Sequence, residues 1–143
     1  MGSPVGSILV GPAKTIEKAK QIRKSFGGGW RQAGLLASAC TYVMDHHWQR
    51  MEEDHKNAAK LAEGLVQMGF KVVPPHTNII YADFSSISSE KFSTIKERLE
   101  KEHSILISGY GASATRIVVH LQVTSEHIDH FLKSFSAIHS SLK

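Results

Sequence analysis

The sequence predicts an α/β chain: the end of a larger domain, followed by a small α+β domain built on an antiparallel sheet. Three observations predict it. A strand-like run over residues 4–11 opens the chain with nothing before it. A helix over 33–48 carries small or apolar residues on nearly every side. From Phe70 onward, short apolar runs alternate with amphipathic helices. The boundary is placed among helices between Trp48 and Met68, giving a first domain over 1–48 and a second over 49–143.

Each element has a local reason. Pro4-Val5-Gly6-Ser7-Ile8-Leu9-Val10-Gly11 reads as a short buried strand ending at a glycine. Pro12 suits the first turn of a helix, along which Ile16, Ala19, Ile22 and Phe26 recur at helical spacing. In the next helix Leu35, Leu36, Ala37, Ala39, Tyr42, Val43 and Met44 leave little polar surface, which predicts burial on most sides. Such burial implies more protein around the helix than a chain this short supplies, or a subunit interface. A long amphipathic helix over 49–68 places Met51, Ala58, Leu61, Ala62, Leu65 and Met68 on one stripe, and Gly69 stops it.

The second half follows the same logic. Strands are expected at 70–73, 78–84, 105–107 and 116–120, with Pro74-Pro75 as a rigid connection. A helix marked by Phe92, Ile95 and Leu99 starts at an N-cap on Ser88 or Ser89. Residues 109–112 read as a flexible loop. The last helix starts at Thr124-Ser125-Glu126 and turns Ile128, Phe131, Leu132, Phe135 and Ile138 inward.

Composition narrows the function classes. The chain has 143 residues, 41% of them hydrophobic, with a formal charge of +4 and a pI near 9.3. The basic residues are dispersed and not interleaved with aromatics, so no nucleic-acid partner is expected. No transmembrane run or signal peptide is visible, so no membrane partner is expected and the placement is cytoplasmic. Cys40 is the single cysteine, which rules out an internal disulfide, suits a reducing compartment and reads as a small core residue. Asp45-His46-His47, with His55 further on, invites a metal reading. Those spacings form no ligand motif and adjacent residues face different sides of a helix, so no metal site is expected.

One stretch stands out chemically: Arg23-Lys24-Ser25-Phe26-Gly27-Gly28-Gly29-Trp30-Arg31-Gln32. Glycines before a helix N-terminus, flanked by Lys24 and Arg31, are the parts of an anion site. The same residues also make an ordinary glycine C-cap and surface turn.

Several motifs in order resemble the low-specificity threonine aldolases. They are Gly2-Ser3-Pro4-Val5-Gly6-Ser7 with Val10-Gly11, then Arg23-Lys24, then Gly27-Gly28-Gly29-Trp30-Arg31-Gln32-Ala33-Gly34. Glu53-Asp54-His55-x-Asn57-Ala58, Thr77-Asn78 and Arg116-Ile117-Val118-Val119-His120 complete the set. The resemblance covers nearly the whole chain and implies the aspartate-aminotransferase-like fold type I. It also implies pyridoxal 5'-phosphate as cofactor, cleavage of threonine and allo-threonine to glycine and acetaldehyde, and a homo-oligomer with active sites between subunits. By that resemblance, residues 1–48 end the cofactor-binding large domain, and 49–143 form the small C-terminal domain. Arg116 corresponds to the arginine that holds the substrate α-carboxylate, Arg31 to a position near the cofactor phosphate, and Lys24 to the active-site edge. Trp30 and Gln122 depart from the family pattern, where Met and Asp are frequent. The family's Schiff-base lysine precedes the first motif, so this sequence offers no catalytic lysine. The chain taken alone is expected to be inactive. The competing expectations are a non-catalytic module that pairs through 34–44 with a full-length subunit or with itself, and a phosphate- or nucleic-acid-binding domain using 18–31.

Overall fold

The computed structural model describes residues 1–107 and 115–142. Among them, five helices and three strands run in the order α1 (Ala13–Ser25), α2 (Gly34–His46), α3 (Met51–Gln67), β1 (Lys71–Val73), β2 (Ile79–Asp83), α4 (Ser89–His103), β3 (Thr115–Val118) and α5 (Ser125–Ser141). The chain divides into two compact units, Met1–Gln49 and Arg50–Lys143. The loop expected at 109–112 lies outside the described residues. No described helix is long and apolar enough to cross a membrane.

The second unit is two-layered. Its three strands form an antiparallel sheet in the order β1-β2-β3, with Lys71–Val73 opposite Tyr81–Asp83 and Thr115–Val118 opposite Ile79–Ala82. Helix α3 packs against β1, β2 and α5, and α4 packs against α5. Alternation along the strands sends Ile80, Ala82 and Val119 into the helix layer. Phe84, with no exposed surface, is the centre of that layer. Its ring lies 4.9 Å from Phe70, 5.0 Å from Phe92 and 5.5 Å from Phe135, centroid to centroid.

The helices begin and end where the sequence supplies the chemistry. Ser88 caps α4 by accepting the Lys91 N–H. Thr124 and His127 close a capping box at α5: the threonine hydroxyl accepts the His127 N–H, and His127 Nδ1 accepts the Thr124 N–H. Gly69, at φ 92°, lets Phe70 N–H reach the Leu65 carbonyl and close α3. Across α3 and α5, Lys60 bonds the Ser125 hydroxyl at 2.8 Å and Asp129 at 2.7 Å. The same helices pack tightly at Gly64, where an added Cβ would lie 2.5 Å from a Leu132 methyl.

Two expected strands are absent. At 105–107, Ile105 and Ile107 pack against the core while Leu106 is exposed, yet these residues join no ladder. Residues 4–11 also form no strand: Ile8, Leu9 and Val10 are 70%, 68% and 82% exposed. A strand exists only where a neighbour takes its backbone groups, and apolar composition does not supply one. The first unit lacks the burial expected of α2 as well. Val43 is its one buried residue, and Leu35, Tyr42 and Met44 are exposed. Cys40 is half-buried and donates its thiol to the Val5 carbonyl at 3.3 Å, tying the opening segment to α2. Along α1 and its C-cap, Ile16 and Ala19 are half-buried while Ile22 and Phe26 are exposed, so the expected inward stripe is only partly covered.

Most of the displaced acid–base groups are solvated helix pairs; the exception is Asp83 at the end of β2, lowered by hydrogen bonds from Ser85. Hydrogen bonds from Lys56, Lys101 and Arg98 hold Glu52, Glu97 and Glu102 below the ordinary glutamate range. A carboxyl lowered in the folded state stabilises above its unfolded pKa. That contribution is present at neutral pH and fades as pH falls below the ordinary value of 4.5. The apolar layer weighs far more. Phe84→Ala is expected to lower stability by about 3–5 kcal/mol, read as a drop in the denaturation midpoint by circular dichroism.

Candidate functional site

Arg116 stands in the middle of β3, opposite Tyr81 on β2, and Tyr81 stands opposite Val73 on β1. These three residues share the face of the sheet turned away from the helices, and all three are exposed. Val118 and the half-buried Ile79 form the neighbouring row. Among the described residues, no carboxylate or carbonyl pairs with the Arg116 guanidinium. An arginine on an exposed sheet face, its fork unpaired among the described residues, suits a planar anion such as a carboxylate.

Beside β3 lies a cavity of about 770 Å³, bordered by Arg116 and floored by Ile105, Ile107, Ile117, Val119 and Phe131. Four histidines also border it: His103, His120, His127 and His130. The Gln122 N–H donates to His120 Nδ1 at 3.3 Å and the Thr124 N–H to His127 Nδ1 at 3.2 Å. Both rings are therefore held as the tautomer that carries its proton on Nε2. His130 Nε2 donates to the His103 carbonyl at 3.1 Å. Sequence reasoning missed His103, His127 and His130 and noted His120 only as the end of a motif. The available signal was His127 and His130 three apart at the start of an amphipathic helix, which places them on one face. No set of three or more His, Cys, Asp or Glu among the described residues is placed to hold a metal ion.

The glycine stretch takes the form of a helix stop. Gly27, at φ 80°, donates its N–H to the Lys24 carbonyl, and Gly28 donates to the Arg23 carbonyl at 2.8 Å. Gly29 donates to Gly27. This is the Schellman pattern, and it leaves none of the three glycine N–H groups for an anion. A Cβ on Gly28 would lie 2.9 Å from the Arg23 carbonyl oxygen, so the close backbone approach requires glycine there. Helix α2 begins at Gly34, one residue after the expected start at 33, and Gln32 just before it turns through φ 55°. Lys24 and Arg31 are both exposed. The Lys24 ammonium lies against Gly29, 3.3 Å from where a Cβ would stand. Lys24 and Arg31 belong to the first unit and Arg116 to the second.

Residues 1–86 match the family model of the beta-eliminating lyases. Low-specificity L-threonine aldolase 1 of Arabidopsis thaliana is 39% identical over 138 residues, covering 94% of this chain and 38% of the relative. The low specificity L-threonine aldolase of Escherichia coli strain K12 is 38% identical over 128 residues, covering 90% of this chain and 37% of the relative. A probable low-specificity L-threonine aldolase of Schizosaccharomyces pombe is 33% identical over 130 residues, covering 90% and 32%. The chain thus spans less than two-fifths of the length of each.

Gly27→Ala forces a side chain into the left-handed region and is expected to cost about 1 kcal/mol at the end of α1. Faster amide exchange over residues 22–28, with the second unit unchanged, is the measurement that checks it.

Proposed function

The chain belongs to the beta-eliminating lyase family, and on that premise we propose that it is the C-terminal part of a pyridoxal-phosphate-dependent threonine aldolase, in which Arg116 holds the substrate carboxylate. The substrates are threonine and allo-threonine, cleaved to glycine and acetaldehyde. Residues 1–48 are the end of the large domain and 49–143 the small domain. The observation that carries the reading is Arg116, unpaired among the described residues and fixed by a strand on an exposed sheet face beside an apolar cavity.

Family members in general use pyridoxal phosphate. The residues of this chain do not make a site for it unaided. The glycine N–H groups are spent on carbonyls, and Lys24 and Arg31 are exposed cations. Within the complete enzyme their role is to add positive charge at the edge of the phosphate site. No step of the cleavage is assigned to this chain. Its work is to bind and orient: the guanidinium fork fixes the carboxylate through two parallel hydrogen bonds, which restricts rotation of the amino acid at Cα.

A second reading is favoured by α2, where Leu35 is 80% exposed and Tyr42 and Met44 stand uncovered. This helix is the surface through which the chain would join the rest of its fold or another subunit of a homo-oligomer. In that assembly the enzyme is placed in the cytoplasm, with no nucleic-acid or membrane partner.

The test is a chimera in which this chain replaces the matching segment of the Escherichia coli relative. The isolated chain is expected to leave threonine intact and the chimera to cleave it. Arg116→Ala in the chimera should raise KM for threonine about a hundredfold, roughly 3 kcal/mol. Arg116→Lys should recover little of it, because an ammonium keeps the charge but not the fork. An unchanged KM in Arg116→Ala sinks the carboxylate role.

A further inference from the structure

We infer that Asn78 is a positioning residue for Arg116: it fixes the register of β3 on β2, and that register decides on which face of the sheet Arg116 stands. The inference rests on the reading of Arg116 as the carboxylate anchor. Strand β3 has four residues and, among the described residues, is the last strand in the sheet order, paired to β2. A slip of one residue would carry Arg116 from the open face to the helix face. Burying the Arg116 charge opposes that slip, but the apolar residues add little to the choice, because Ile117, Val118 and Val119 are three β-branched residues in a row and either face would accept them.

Asn78 supplies what the pattern lacks. Its backbone carbonyl accepts the Val119 N–H at 2.9 Å, and its side-chain Nδ2 donates to the Val119 carbonyl at 2.7 Å. Val119 is 1% exposed, and one residue satisfies both of its backbone groups. A shifted strand would leave those groups buried without these partners, which native structures rarely tolerate. Beyond Val119 the chain turns, with Val123 N–H on the His120 carbonyl at 2.7 Å. Asn57, itself 3% exposed on α3, donates to the Val123 carbonyl at 3.1 Å. The segment leaving β3 is thus held at two points, and Arg116 stays opposite Tyr81.

Two variants and two readouts test this. Asn78→Ala removes the Nδ2 donor and keeps the backbone bond. Asn78→Asp keeps the shape and sets an acceptor against the Val119 carbonyl. In the chimera both should raise KM for threonine by about tenfold or more while kcat changes less. Added to Arg116→Ala, neither should raise KM further, since the group being positioned is gone. In the 143-residue chain itself, both should weaken the nuclear Overhauser contact between the Tyr81 and Arg116 backbones while the Phe84 cluster keeps its contacts. Retention of that contact in both variants overturns the inference whatever the kinetics. So does a KM effect that multiplies with that of Arg116→Ala, or an unchanged KM in both variants when Arg116→Ala alone raises it. An unchanged KM in Arg116→Ala itself instead overturns the carboxylate reading and removes the functional half of the inference.

Discussion

The second unit depends on one constraint: a sheet buried on a single face. The rings of Phe70, Phe84, Phe92 and Phe135 lie close together inside the core, and Ile80, Ala82 and Val119 come down from the strands into that same core. Because side chains alternate along a strand, burying one set exposes the other. Val73, Tyr81, Arg116 and Val118 are on the outside as a consequence of what is on the inside. The open face that carries Arg116 is the reverse side of the hydrophobic core.

The first unit obeys the opposite economy. It has two helices and an extended opening segment, and one buried residue, Val43, on α2. What ties the segment to α2 is polar and sparse: the Cys40 thiol on Val5, and His47 Nδ1 donating to the Met1 carbonyl. Ile8, Leu9, Val10, Leu35 and Trp48 remain on the surface. The contrast agrees with a chain that spans less than two-fifths of the relatives it matches.

Local chemistry was legible in the sequence, and pairing was not. Ser88, Thr124 and Gly69 act at the helix ends where their residue types place them, and the stripe of Ala58, Leu61, Ala62 and Leu65 is buried. A cap or a stripe is decided within a few residues, so a short window contains its cause. The runs at 4–11 and 105–107 look like strands to the same eye. Whether they pair depends on residues far away in sequence, and no composition records that. The site divides in the same way. Arg116 was singled out by its resemblance to a family motif, since an arginine in a strand carries no local mark of function. Asn78 and Asn57 lay within motifs already noticed, but their bonds to Val119 and Val123 exist only through long-range register. His103, His127 and His130 were not singled out, because their gathering with His120 brings three separate segments together.

The close meeting of α3 and α5 at Gly64 has a consequence for how the sequence can drift. With Leu132 packed where a side chain at 64 would begin, the two positions are not free to change separately. A larger residue at 64 requires a smaller or re-turned one at 132, or a wider spacing of the helices. Wider spacing would stretch the Lys60 link to Ser125 and Asp129 on the same pair of helices. Gly64, Leu132, Lys60 and Asp129 therefore behave as one heritable unit, in which a change at the glycine is admissible only after its neighbours have made room.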